Sequence, residues 1–209
     1  MAAPDPHRVT SQEALRAFYP DLPGDTSLAK EVDHVHALYR PFIEASPFVV
    51  LGTRGAEGLD SSPRGDAPGF VQIADERTLL LPDRRGNNRI DSLRNVVAHP
   101  EVSLLFLAPG CNETLRVMGR AHVSVAPDLL ARCAHDGIAP RSVLVIAVDK
   151  VFFQCGRALI RSGLWEEAVR IDRASLPSVG RILQTLGAER IDGAAYDREL
   201  PGRQRRTLY

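Results

Sequence analysis

Apolar residues along this chain fall into two textures that change near position 47. Upstream, Leu28, Val32, Val35 and Leu38 recur at three- and four-residue intervals after Asp25, a stripe that predicts an amphipathic helix in need of a packing partner. A shorter helix is expected before it, because Thr10 and Glu13 have capping-box spacing and Pro20 closes the segment. From Pro47 onward, short apolar runs at 48–53, 69–73, 78–81, 102–107, 114–125 and 142–155 are punctuated by Gly, Pro and Asp clusters, the pattern of an antiparallel barrel or sandwich. Helical spacing returns at 88–98, at 127–134 with Pro127 in the first turn, and at 157–169, where Arg161 and Trp165 stand four apart on one face. A Pro-started, Gly-stopped helix at 176–187 precedes a polar tail that reads as mobile.

The run from Thr114 is the most informative strand. Leu115 and Val117 share one face, while Thr114, Arg116, Met118, Arg120 and His122 share the other. One side of a long strand is therefore polar and open to a ligand or a partner subunit. The chain divides on this reading into a helical extension (1–45), a β-rich domain (46–170) and a C-terminal helix with its tail (171–209). The fold class is mainly β with peripheral helices (α+β).

A chain of 209 residues is long enough to bury a sizeable core. Its 26 basic and 26 acidic residues balance, which argues against a nucleic-acid or membrane-surface protein held by bulk charge. Cys111, Cys133 and Cys155 are odd in number and far apart, the pattern of reduced thiols rather than a disulfide framework or a zinc site. His34 and His36 stand two apart and face different directions, so no metal is expected. The longest apolar run, 143–148, is far too short to span a bilayer, and no leader is apparent, so the expected location is cytoplasmic.

Candidate chemistry concentrates in two stretches. Arg84, Arg85, Arg89 and Arg94 surround Gly86-Asn87-Asn88, just before a helix whose apolar residues are Ile90, Leu93, Val96 and Val97. Guanidinium forks beside free N–H groups at a helix start suit a phosphate. The second stretch, Ser61-Ser62-Pro63-Arg64-Gly65-Asp66, adds a further arginine.

Taken in order, several motifs resemble the pyridoxamine 5'-phosphate oxidase-related FMN-binding split barrels, over about residues 42–165. They are Ser62-Pro63-Arg64-Gly65-Asp66, then Leu81-Pro82-Asp83-Arg84 with Gly86-Asn87-Asn88-Arg89 and Asp91-Ser92. Glu113 to Ala121 follows, and then the closing Cys155, Ala158-Leu159-Ile160-Arg161-Ser162 and Leu164-Trp165. The resemblance is closest to a subgroup described only as FMN-dependent enzymes.

It implies a six-stranded antiparallel split β-barrel that forms a homodimer with FMN at the subunit interface. Asn87, Asn88 and Arg89 would hold the flavin phosphate, and Arg64 would be a second phosphate or flavin contact, with Ser62 shaping its strand. Arg84 and Arg85 are weaker candidates. Thr114 and Arg116 match a segment that approaches the flavin, and Arg161 and Trp165 match residues that flank it from the partner subunit. The expected function is an FMN-dependent oxidoreductase acting on a small molecule, with a nicotinamide, NAD(P)H, as a further hydride source and no protein nucleophile or assigned catalytic residue. The alternatives are a flavin-binding or sensing module without turnover, and a split barrel using deazaflavin or haem, although His99 and His122 carry no ligand motif. The chain departs from the oxidases proper where they carry an Arg-Leu-x-Pro segment for the substrate phosphate; here Leu200-Pro201-Gly202-Arg203 stands. Vitamin B6 oxidation is therefore not expected.

Overall fold

The computed structural model describes residues 5–187 and 190–209. The segment ending at Glu31 is one compact unit and Val32–Tyr209 another. The first holds helices α1 (Gln12–Phe18) and α2 (Asp25–Leu28). The side chain of Ser11 caps α1 by accepting from the N–H of Ala14, so the cap sits one residue after the expected Thr10.

The second unit begins by overturning the expected long helix. α2 stops at Leu28, and Val32 instead exchanges backbone hydrogen bonds with Val151. The three-to-four spacing of Val32 and Val35 thus serves a strand-like bridge and a loop, because a strand already in place offers backbone partners. Helix α3 (Arg40–Ala45) follows.

Among the described residues, seven strands then form one antiparallel sheet: β1 (Phe48–Gly55), β2 (Gly58–Gly65), β3 (Gln72–Asp75), β4 (Thr78–Asp83), β5 (Glu101–Leu107), β6 (Thr114–Ser124) and β7 (Ser142–Gln154). Their order is β2-β1-β5-β6-β7-β4-β3. The expectation of six strands is corrected to seven by β2, which carries Asp60, Ser61, Ser62, Pro63 and Arg64 and has no apolar alternation to announce it. An edge strand that pairs on one side only tolerates a proline and a polar face. The run expected at 69–73 begins as a strand only at Gln72, after Gly69 turns the chain at φ 82°.

The sheet curls on itself. β2 and β4 lie five strand positions apart, about 24 Å in a flat sheet, yet Arg64 Nη1 on β2 donates to Asp83 Oδ1 at the end of β4 over 2.6 Å. A half-closed barrel results, with its split between these strands. Its interior is filled by Val49, Leu51, Leu79, Leu81, Leu104, Phe106, Leu115, Val117 and Val151, with Ile43 of α3 packed in. β6 and β7 pair along most of their length with a register shift at Gly119, where an added Cβ would collide with the carbonyl oxygen of Ala147.

The remaining helices are α4 (Asp91–Ala98), α5 (Pro127–Arg132), α6 (Arg157–Ser162), α7 (Val179–Leu186) and α8 (Gly193–Arg206). α4 packs chiefly on β1, with β6 and β2 beside it, and Asn95 Nδ2 donates to Thr53 Oγ1 at 3.0 Å. The tail read as mobile is instead largely α8, capped by Asp192 and packed on α7. Glycines at 180 and 193 let those two helices touch backbone to backbone.

Candidate functional site

The split in the barrel is a cleft of about 700 Å³, within the range of small-molecule and cofactor sites. One wall is β2. Asp60, Ser62 and Arg64 alternate with Ser61 and Pro63 and stand opposite Thr53, Leu51 and Val49 of β1, so the polar three share the face that β1 turns to the core. The other wall is the end of β4, the turn from Arg84 to Ile90, the start of α4, and Arg141-Ser142 at the head of β7.

Five arginines line this cleft, Arg64, Arg84, Arg85, Arg89 and Arg141, against Asp60, Asp83 and Asp91. Arg64 is 18% exposed, and its Nε is buried without an acceptor among the described residues. An unmet buried guanidinium N–H costs free energy unless a ligand meets it. Arg84 is spent structurally, with Nε on Asp66 at 2.6 Å and Nη1 on the carbonyl of Cys133 at 2.8 Å. Arg89 is 80% exposed and paired with Asp91 at 2.5 Å. Arg141 donates to Asn88 Oδ1 at 2.6 Å. Neither Arg141 nor Arg85 has an acidic partner among the described residues, so the cleft carries net positive charge.

The turn itself is shaped for backbone presentation. Asn88 (φ 61°) and Ile90 (φ 33°) both adopt left-handed conformations. Asparagine tolerates this readily and a β-branched isoleucine does not, so Ile90 carries local strain of roughly 1–2 kcal/mol. No side chain caps α4, and the N–H groups of Asp91, Ser92 and Leu93 precede the first intrahelical bond, from Arg94 to Ile90, at the cleft. The helix expected from Asn88 therefore starts at Asp91, because Asn88 and Ile90 are turned the other way.

Of the residues expected at the site, Ser62, Arg64, Asn87, Asn88 and Arg89 line one cleft. Thr114, Arg116, Arg161 and Trp165 do not join them within the chain. Arg116 lies opposite Leu105 and Phe152, its guanidinium 5.2 Å from the Phe152 ring centroid, on the β6 face away from buried Leu115 and Val117. The single helix carrying Arg161 and Trp165 is also corrected. α6 ends at Ser162, Gly163 reverses the chain at φ 59°, and Trp165 lies beyond it with its indole N–H on the carbonyl of Cys111 at 2.7 Å. Arg141 and Ser142 were missed, since a lone Pro140-Arg141 before an apolar run carries no signal of its own. Arg120 pairs loosely with Asp149 at 3.7 Å.

Behind the cleft wall, Asp66 is buried to 1% exposure and receives Arg84, the N–H of Ala67 at 2.8 Å and the hydroxyl of Tyr209 at 2.6 Å. Burial pushes its carboxyl up, but the hydrogen bonds from Tyr209, Ala67 and Arg84 outweigh that and hold its pKa below the ordinary value. A carboxyl lowered on folding stabilises the fold above its unfolded value, near 3.8, and loses that contribution as pH falls through its folded value. Denaturant unfolding from pH 5 down to pH 2 is expected to show a shallower acid loss in Tyr209→Phe than in wild type.

A half-closed antiparallel barrel with an arginine-rich cleft at its seam defines the class of split-barrel-like proteins. The sequence profile described as pyridoxamine 5'-phosphate oxidase matches residues 35–155, more than half of the chain, and the protein belongs to that family. Among solved structures, HupZ of Group A Streptococcus is 17% identical, with TM-score 0.47 over 57% of this chain and 99% of its own. A candidate pyridoxamine 5'-phosphate oxidase of Lactobacillus delbrueckii is 17% identical, with TM-score 0.47 over 58% and 95%. General Stress Protein 26 of Bacillus anthracis is 16% identical, with TM-score 0.41 over 55% and 88%. No curated protein matches the chain. Among the described residues, no helix is long and apolar enough to cross a membrane, and no cluster of His, Cys, Asp and Glu is arranged to hold a metal ion.

Proposed function

We propose that the cleft holds FMN by its phosphate and that the protein is an FMN-dependent oxidoreductase acting on a small molecule. The observation that carries this reading is Arg64, a cleft-lining arginine whose buried Nε lacks an acceptor. Around it stand the free N–H groups of α4, the amides of Asn87 and Asn88, and the unpaired charges of Arg85 and Arg141, a donor set suited to a phosphate dianion. None of the described histidines lines the cleft, which favours a flavin over a haem held by an imidazole.

Bound FMN would supply reversible hydride acceptance. The chain's own part is to anchor the phosphate and orient the ring along the seam beside Ser62 and Phe70. Thr114, Arg116, Arg161 and Trp165, which lie outside this cleft, are assigned to the neighbouring flavin wall of a second subunit in a homodimer. The donor is a reduced small molecule or NAD(P)H. Titrating the apo-protein with FMN tests the cofactor, and stopped-flow mixing of the holo-protein with NAD(P)H separates an oxidoreductase from a flavin-binding module. A colourless protein that leaves FMN fluorescence unchanged would end the reading.

Arg89→Ala is expected to weaken FMN by only about three- to tenfold, because an exposed arginine already paired with Asp91 gives up little on removal. A hundredfold loss in the same titration would make Arg89 the principal anchor.

A further inference from the structure

The hydroxyl of Tyr209 reaches a buried carboxylate, and its ring lies against two further groups of the barrel domain. His135 stacks on it at 4.4 Å between centroids and 13° between planes, and the Arg84 guanidinium lies 5.8 Å from its centroid. These three walls are held by contacts that do not involve Tyr209. Arg84 is fixed by the Cys133 carbonyl, Asp66 by the N–H of Ala67, and His135 by reciprocal backbone bonds with Ile138 at 3.0 and 2.8 Å. Arg84 and Asp66 are therefore anchored by contacts other than Tyr209, and the backbone that carries His135 is likewise set without it.

The occupant, by contrast, is weakly tied. Tyr209 follows α8, which packs on α7, and neither helix makes an extensive contact with the sheet. Among the described residues, side-chain hydrogen bonds of the two helices stay within the pair: Asp197 to the N–H of Gly180, Gln184 to that of Gly193, Thr207 to the carbonyl of Arg203. A side chain delivered on such an arm competes at an effective concentration in the millimolar range, so a free ligand of like shape can displace it.

We propose that Asp66, Arg84 and His135 form a binding site for a small para-substituted phenol, adjoining the cleft through Arg84 and filled in this structure by the chain's own Tyr209. The phenol hydroxyl donates to Asp66, the ring stacks on the imidazole under the guanidinium, and the para substituent leaves where the Tyr209 Cβ now lies. Release of Tyr209 couples ligand entry to movement of the α7–α8 arm. This goes beyond the FMN reading and does not depend on it.

The test uses 4-methylphenol, with 4-methylanisole as the same shape lacking the donor. In wild-type protein, 4-methylphenol is expected to accelerate amide exchange across 193–209 saturably, and 4-methylanisole is not. Tyr209→Ala should bind 4-methylphenol at least tenfold more tightly than wild type by calorimetry. Adding His135→Ala, at a surface turn, should weaken that by at least threefold. Absence of any exchange response in wild type, equal response to the anisole, or binding by a folded Tyr209→Ala protein no tighter than wild type would each overturn the proposal. FMN titration of the same proteins is scored separately, so a failure of the flavin reading leaves the phenol result to stand or fall alone.

Discussion

Arg64→Ala is expected to lower FMN affinity by roughly ten- to a hundredfold, the largest binding effect of any single substitution in the cleft. Arg64 comes from the inner face of β2, is only 18% exposed, and spends Nη1 on Asp83 while Nε has no acceptor. A charge-assisted hydrogen bond from such a group contributes about 1.5–3 kcal/mol, because water neither screens it nor competes for it as it does at Arg89. Arg64→Lys restores the charge without the planar fork and should recover only part of the loss. Truncation also leaves Asp83 without its partner, so a thermal melt must accompany the titration to separate lost binding from lost fold. Unchanged FMN affinity in a folded Arg64→Ala protein would move the phosphate to the turn arginines Arg85 and Arg141.

Gly119→Ala is expected to be the most damaging single-methyl change in the barrel. The added Cβ would meet the main-chain carbonyl oxygen of Ala147 on β7, together with the Ile146 side chain. Backbone inside a paired strand cannot rotate aside as a flexible side chain can. Overpacking of this kind costs about 1–3 kcal/mol and more where backbone must move, which for a chain of this size is a fall of roughly 2–12 °C in melting temperature. Denaturant unfolding should show the lowered midpoint, and a midpoint equal to wild type would mean that the bulge at Met118/Gly119 absorbs the methyl. Loss of flavin should accompany the loss of stability, since β7 begins in the cleft at Ser142, directly after Arg141.

The residues themselves specified much of this. Alternation announced β1, β5 and β6, because a strand with one buried face writes a period of two into its sequence whatever its partners, while β4 and β7 were announced as unbroken apolar runs. The turn that lines the cleft was equally legible: Gly86, Asn87, Asn88 and Arg89 are contiguous, and the chemistry they offer is local. A polar edge strand writes no such period, and β2 had to be paired with β1 to be seen as the seventh strand and as the source of an inward Arg64.

Long-range closure supplied the rest. Arg141 meets Asn88 across 53 positions and Tyr209 meets Asp66 across 143, separations at which neither residue carries a mark of its partner. Val32 shows the same limit from the other side, since its helical spacing yielded to a bridge with Val151 once β7 was in place. Periodicity reports the short-range sterics of one segment, whereas the choice of partner depends on free energy summed over contacts that only the closed barrel brings together.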